Sequence, residues 1–430
     1  MAKRAPAKPL RTAKPAKPVP RRRPPASLPP ATPAQSAGGS PVKQLPSQVD
    51  VLIVGTHPSA HLAAAILAVD QPKLRTLHVL PPGPPAADRL LPINPGLVRL
   101  HPLLGKSAPL AELYGAAGLR FLSDQPGVRS EHLVPKPPAL CVGSMSGLTQ
   151  AMASLVDGQE ARCHAAHELR VLRVVDDGVA VEIDRHLLVA RTILLAWPGL
   201  PIDQQRLLGI GGVWESGVMH RYTFQRFRPA AGVVASESTS DRAHPPVPMS
   251  LDLAGSGAWA WMFRHCDGSV QFCVQQAMRT VRSHPPRQLL ERWRMQLARH
   301  GLVTKPEALP DLSSAVEIDL PFAGALSAET VANRTLLFGP AGGFYSTCGE
   351  ELYPCCWSAV SATRVVGKAL SADHVQDALQ AYRADWGATL GDYLRGPQQN
   401  LTLLLPLIYR NAVMAARVAE AILFGESVVR

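Results

Sequence analysis

The stretch VDVLIVGTHPSAHLAAAILA, from Val49 to Ala68, decides the fold. Val51 to Val54 is short, branched and wholly apolar, as expected of a strand buried on both faces. Gly55 and a short turn follow. An alanine-rich helix then begins at Pro58, where the missing N–H of proline falls among donors that have no partner anyway. LRTLHVL (Leu74 to Leu80) reads as a second strand, so the whole forms a βαβ unit of dinucleotide-binding type. The glycine fingerprint of such a turn puts Gly at 55, 57 and 60, and this chain has Gly55, His57 and Ala60. Gly55 supplies the tight turn, and Ala60 is an accepted substitute where the helix packs on the strand. His57 stands where backbone must approach a pyrophosphate with no side chain between them. Its imidazole either donates to a phosphate or fills the space a cofactor has left.

The composition bounds what surrounds this unit. The chain has 430 residues, 46% of them hydrophobic, and a net charge of +11. The charge is localised: residues 1–48 carry ten Lys or Arg, no Asp or Glu, and twelve prolines. Proline removes backbone donors and fixes φ, so this tail is expected to be disordered and partly polyproline II. It reads as a solvated linker, or as an arm that binds an acidic partner, nucleic acid or anionic membrane, by counterion release. No apolar segment follows its charges, so it is not a secretory signal. Seven cysteines without a signal peptide point to free thiols and a cytoplasmic setting. Cys348, Cys355 and Cys356 lack the second ligand pair a zinc site needs, and no metal is expected. No window has the roughly 20 apolar residues of a spanning helix. The nearest, LTLLLPLIY (Leu401 to Tyr409), is short and interrupted by Pro406, which suits a buried core segment or, failing that, contact with a membrane interface.

Beyond residue 80 the pattern predicts a helix over Leu110 to Ala117 capped by Gly118, and another over Met145 to Val156. Strands run through Leu169 to Ala196, with a tight hairpin at Asp177-Gly178. Residues 200–330 change character, with short strands and a helix at Arg287 to His300. TLLFG (Thr335 to Gly339) is a buried strand, followed by a Gly-rich turn and a helix from Leu352 to Leu370. Everything from Val375 onward reads as helical. The fold class is therefore α/β with mixed α+β character: a Rossmann-like domain interleaved with an antiparallel-sheet domain, and a helical C-terminus. The boundaries fall at 1–48 for the tail, 49–199 and 331–372 for the two parts of the nucleotide domain, 200–330 for the sheet domain, and 373–430 for the helical end.

Three stretches together resemble one family. VDVLIVGTHPSAHLAAAILA, GAWAWMFRHCDGSVQFCV (Gly257 to Val274) and LLFGPAGGFYSTCGEELYPCCWSAVSATRVVGKAL (Leu336 to Leu370) are similar, in order and spacing, to flavoprotein oxidoreductases of the p-hydroxybenzoate hydroxylase fold. The likeness is greatest to the geranylgeranyl reductase branch and its flavin-dependent halogenase relatives. The resemblance implies FAD, held by Gly55, His57, Pro58, Ser59 and Ala60 in the first motif. Gly339, Ala341, Gly342, Gly343, Phe344 and Gly349 would hold it in the second. It implies a transient electron donor such as NAD(P)H, and an apolar, lipid-like or aromatic small molecule lying against Trp259, Trp261 and Phe263, which alternation places on one strand face. In such enzymes the flavin carries the redox chemistry, and Tyr345, Cys348 and Glu350 are the side chains beside it with chemical potential.

The chain departs from that family at four places. His57 replaces the second glycine. Leu80 and Pro81 stand where an acidic residue would meet the adenosine ribose. Pro340 replaces an Asp and offers neither a side-chain acceptor nor an N–H. Trp197 and Pro198, in AWPG, occupy the place of an Asp-Gly pair. Each lost contact costs about 1–3 kcal/mol. Two functions follow from the same residues: an FAD-dependent reductase or monooxygenase, or a non-catalytic relative that has lost FAD and serves as a binding or scaffold protein.

Overall fold

The computed structural model describes residues 45–83, 87–105, 110, 113–155, 162–211, 219–236, 244–321, 326–327, 329–346, 349–395 and 401–425. The expectations for the tail up to residue 44 and for Cys348 lie outside the described residues.

The Val49–Ala68 stretch forms strand β1 (Gln48–Val54) and helix α1 (Pro58–Asp70), followed by strand β2 (Thr76–Leu80). β1 lies inside an eight-stranded sheet, paired in parallel with β2 on one side and with His186–Leu195 on the other. Beyond β2 comes Arg162–Ala165, also parallel. Beyond His186–Leu195 comes Thr335–Leu337, with Ile193 opposite Thr335. That distant strand brings the second Gly-rich turn beside the first. The hairpin expected at Asp177-Gly178 is present, pairing Leu169–Val175 with Gly178–Ile183.

β1 is buried on both faces, which explains its unbroken apolar run. Val51 and Ile53 face the helices, while Leu52 and Val54 face the Leu169–Ile183 hairpin. α1 is buried along its length from Pro58 to Leu67. Ala60, Ala63 and Ala64 let it settle between the sheet and the helix Leu352–Ala369, against Ala359, Ala362 and Val366.

A second sheet of seven strands runs in the order Val316–Pro321, Met219–Phe227, Val270–Ala277, Trp259–Arg264, Val247–Ser250, Gly118–Leu122, Arg129–Leu133. All neighbours are antiparallel except Val247–Ser250 and Gly118–Leu122. Alternation along Trp259–Arg264 divides its side chains as the pleat requires. Ala260 and Met262 meet Leu290, Trp293 and Leu297 of the helix Pro286–Arg299. Trp261 and Phe263 meet Tyr222, Tyr345 and the C-terminal helices Leu401–Ile408 and Ala412–Phe424. Among the described residues no helix is long and apolar enough to cross a membrane.

One expectation fails locally. The helix predicted for Leu110 to Ala117 gives way to a strand, Tyr114–Ala116, which pairs with Leu140–Ser144 in a small third sheet. Cross-strand pairing overrides the helical propensity of a short alanine-containing run. Gly118 is not a helix cap but opens the next strand, where a Cβ would lie 1.9 Å from the carbonyl oxygen of His132. Only glycine allows that approach.

Candidate functional site

The carboxyl ends of β1, His186–Leu195 and Thr335–Leu337 meet at a point where an open α/β sheet places a ligand crevice. Here the turns press directly against one another. A Cβ on Gly55 would meet that of Ala196 at 2.9 Å, and one on Gly339 would meet Ser59 Oγ at 2.6 Å. Gly55 and Gly339 have φ of +154° and +55°. The buried His78 ring lies 2.9 Å from the Gly55 carbonyl oxygen and pins the turn.

His57 sits at the N-cap of α1. Its Nδ1 accepts from the Ser59 N–H at 3.2 Å and lies 2.8 Å from Ser59 Oγ. Pro58 has no N–H, and the Ala60 N–H bonds to the His57 carbonyl at 2.8 Å. The donors with which a helix start usually receives a phosphate are thus taken by His57 itself. Because Nδ1 accepts, a neutral ring carries its proton on Nε2. That atom is buried, has no hydrogen-bond partner among the described residues, and lies 3.8 Å from Glu351 Oε1.

Glu351, the N-cap residue of the helix Leu352–Ala369, is 1% exposed. Arg89 Nη2 donates to its Oε1 at 2.6 Å. Burial pushes the Glu351 carboxyl up, but the Arg89 guanidinium and neighbouring donors more than offset this and hold it below its ordinary value. Tyr345 is among those donors; burial and the Glu351 charge push its hydroxyl well above the usual tyrosine range. His57, Glu351 and Arg89 therefore form a bridge across the crossing. The cavity left beside it measures about 180 Å³ and is lined by these residues with Tyr345, Met145, Trp197 and Pro340.

FAD does not fit the residues as they stand. The helix donors are capped, Pro340 is buried without donor or side-chain acceptor, and the buried Glu351 carboxylate lines the cavity beside His57, where a diphosphate would meet a like charge. The remaining second-motif residues are tied into the packing around them. The Gly339 N–H donates to Ser358 Oγ at 2.9 Å. Ala341 and Gly342 are buried in the short helical turn Gly339–Gly342, which Gly343 ends at φ +77°. Phe344 turns away, edge-on to Trp386 at 5.4 Å. Gly349, at φ +68°, is fixed by Tyr222, whose ring a Cβ would meet at 2.6 Å.

Glu350 points elsewhere. Its Oε1 accepts from the Tyr353 N–H and its Oε2 from the Tyr393 hydroxyl, both at 2.9 Å. Burial raises its pKa to about 7. It closes one end of an apolar cleft with about 30 Å³ of clear space, enough for a water or two. Trp261 and Phe263 line this cleft, while Trp259 is half-buried at the edge of the same cluster. Trp261 Nε1 is buried there without a hydrogen-bond partner among the described residues. Among the described residues no group of His, Cys, Asp and Glu is placed to hold a metal.

Sequence reasoning missed Arg89 and Glu351. Arg89 is a lone cation ahead of a buried strand. Glu351 stands next to Glu350 with nothing in the sequence to mark it as the one that meets a buried cation.

No family model and no curated protein matches the chain. Solved structures do. A geranylgeranyl bacteriochlorophyll reductase-like protein from Thermoplasma acidophilum superposes with a TM-score of 0.63 at 13% identity, over 89% of this chain and 93% of that one. PqsL of Pseudomonas aeruginosa, described as a probable FAD-dependent monooxygenase, gives 0.59 at 16% identity over 88% and 97%. The flavin-dependent brominase Bmp2 gives 0.62 at 13% over 88% and 94%. The chain thus has the fold of the FAD-dependent oxidoreductases of p-hydroxybenzoate hydroxylase type, as its three motifs imply.

Proposed function

We propose that this chain is a small-molecule-binding protein built on a flavin-oxidoreductase fold, with the FAD path closed by its own side chains. The His57–Glu351–Arg89 bridge carries this reading. A diphosphate entering the path would meet the Glu351 carboxylate and would have to separate a buried ion pair, which costs about 3–5 kcal/mol when one partner is removed. Residues 49–199 and 331–372 would form the ligand-holding part, and 200–330 with 373–430 its cover. The free thiols suit a cytoplasmic location.

A second reading is favoured by the fold shared with flavin-dependent enzymes. It takes the chain as an FAD-dependent reductase or monooxygenase acting on an apolar or aromatic molecule, supplied by NAD(P)H or another donor. In that reading Gly55 to Ala60 and Gly339 to Gly349 hold the cofactor, and Tyr345 and Glu350 stand near its ring.

Purified full-length chain separates the two. The first reading expects no visible absorption and no saturable response to added FAD. It also expects the double variant His57→Gly, Glu351→Gly to gain FAD affinity. A yellow protein that releases stoichiometric FAD on denaturation would establish the second reading instead.

A further inference from the structure

Two charged side chains on the wall of the 180 Å³ cavity retain hydrogen-bonding capacity. Arg89 has five N–H donors, of which one bonds Glu351. Glu351 has about four lone-pair positions; Arg89 donates to it, and Tyr345 and His57 are the other side chains set against its carboxylate. A third group points the same way: His57 Nε2 is buried on a side chain that is 8% exposed, 3.8 Å from Glu351 Oε1 and without a hydrogen bond of ordinary length among the described residues. A buried donor without an acceptor carries a desolvation penalty that a ligand acceptor relieves.

The size and charge of the site narrow the ligand. A cavity of about 150 Å³ holds a benzene ring, so about 180 Å³ takes one ring and little more. Arg89 and Glu351 cancel in charge, which disfavours a ligand anion that would face Glu351 in a low-dielectric pocket. Trp197 and Pro340 give flat apolar walls. An adjacent donor and acceptor on one wall match a ligand edge that carries an acceptor beside a donor.

We infer that this cavity binds a single planar ring bearing a carbonyl next to an N–H, a cyclic imide or ring amide, read by Arg89 and His57 as donors and Glu351 as acceptor. The inference rests on the reading that FAD does not occupy the path.

The test titrates full-length protein with uracil, benzoate, toluene and FAD, by calorimetry or ligand-observed NMR. Uracil is expected to saturate at one site, at least tenfold tighter than benzoate or toluene. Arg89→Lys, which keeps the charge and loses the fork, is expected to weaken uracil at least tenfold. Should that variant fold poorly, Trp197→Ala, on the half-exposed rim and outside the ion pair, is expected to weaken uracil by a similar factor. Absence of saturable uracil binding, benzoate binding as tight as uracil, or uracil binding unmoved by both variants would overturn the inference. Stoichiometric FAD binding would instead overturn the reading beneath it, so the two failures are distinct.

Discussion

Replacing Glu350 with Gln should make the protein more stable at neutral pH and change the way its stability depends on pH. The Glu350 carboxyl is fully buried, and burial raises its pKa from 4.5 to about 7. Between those values the native state holds a proton that the unfolded chain has released, so stability falls as pH rises through the window. A gap of about 2.5 units at 1.36 kcal/mol each gives a loss of about 3 kcal/mol by pH 8. Gln is neutral throughout, and its amide oxygen still accepts from the Tyr353 N–H, so the penalty disappears. A constant of about 1 kcal/mol for the weakened Tyr393 hydrogen bond offsets part of the gain.

Other groups also titrate in this range. His61 and His220 are held neutral with pKa lowered to about 4, and stability from them is lost as pH falls below the ordinary histidine value. Glu351 is lowered, and its contribution disappears only at acid pH. These slopes are common to both proteins and cancel in the difference. Urea unfolding of wild type and Glu350→Gln at pH 5, 6, 7 and 8 should therefore give a difference that grows by about 2.5 kcal/mol, the rest of the loss lying below pH 5. A difference that stays flat from pH 5 to 8 would refute the buried-acid assignment.

Gly118→Ala should abolish soluble expression, because its Cβ would overlap the His132 carbonyl; a folded variant with unchanged thermal midpoint would contradict the strand geometry. Gly349→Ala, strained at φ +68° and pressed on Tyr222, should cost about 2–4 kcal/mol in urea unfolding. Trp293→Ala, which empties a fully buried site and removes the donor to the Trp261 carbonyl, should cost about 3–5 kcal/mol. His57→Ala should lose about 1 kcal/mol with the N-cap, read as a lowered thermal midpoint.

The first sheet was legible because its signals are local. Val51 to Val54, Asp177-Gly178 and Thr335 to Gly339 each announce a strand or turn within a few residues. The second sheet was less so. Its parallel pairing of Gly118–Leu122 with Val247–Ser250 joins segments more than a hundred residues apart, and nothing local to either names the other. The candidate site divided the same way. His57 and Pro340 were visible as departures from a fixed spacing. The bridge itself needed three dimensions, because Arg89, Glu351 and His57 meet only through folding. Glu351 left no trace beyond its place beside Glu350, and neither residue's burial is written locally.

The strand Gly118–Leu122 enters the second sheet from the N-terminal half of the chain and lies one place in from its edge. The Rossmann-like sheet, in turn, is completed only at Thr335–Leu337. Neither lobe can be excised as a continuous fragment, and neither can finish folding on a ribosome before most of the chain has emerged. High contact order slows folding, so newly made chain spends longer with unpaired strand edges exposed, a period in which chaperone capture and aggregation compete. A truncation series ending before residue 335 should yield protease-sensitive material at every length rather than a stable intermediate.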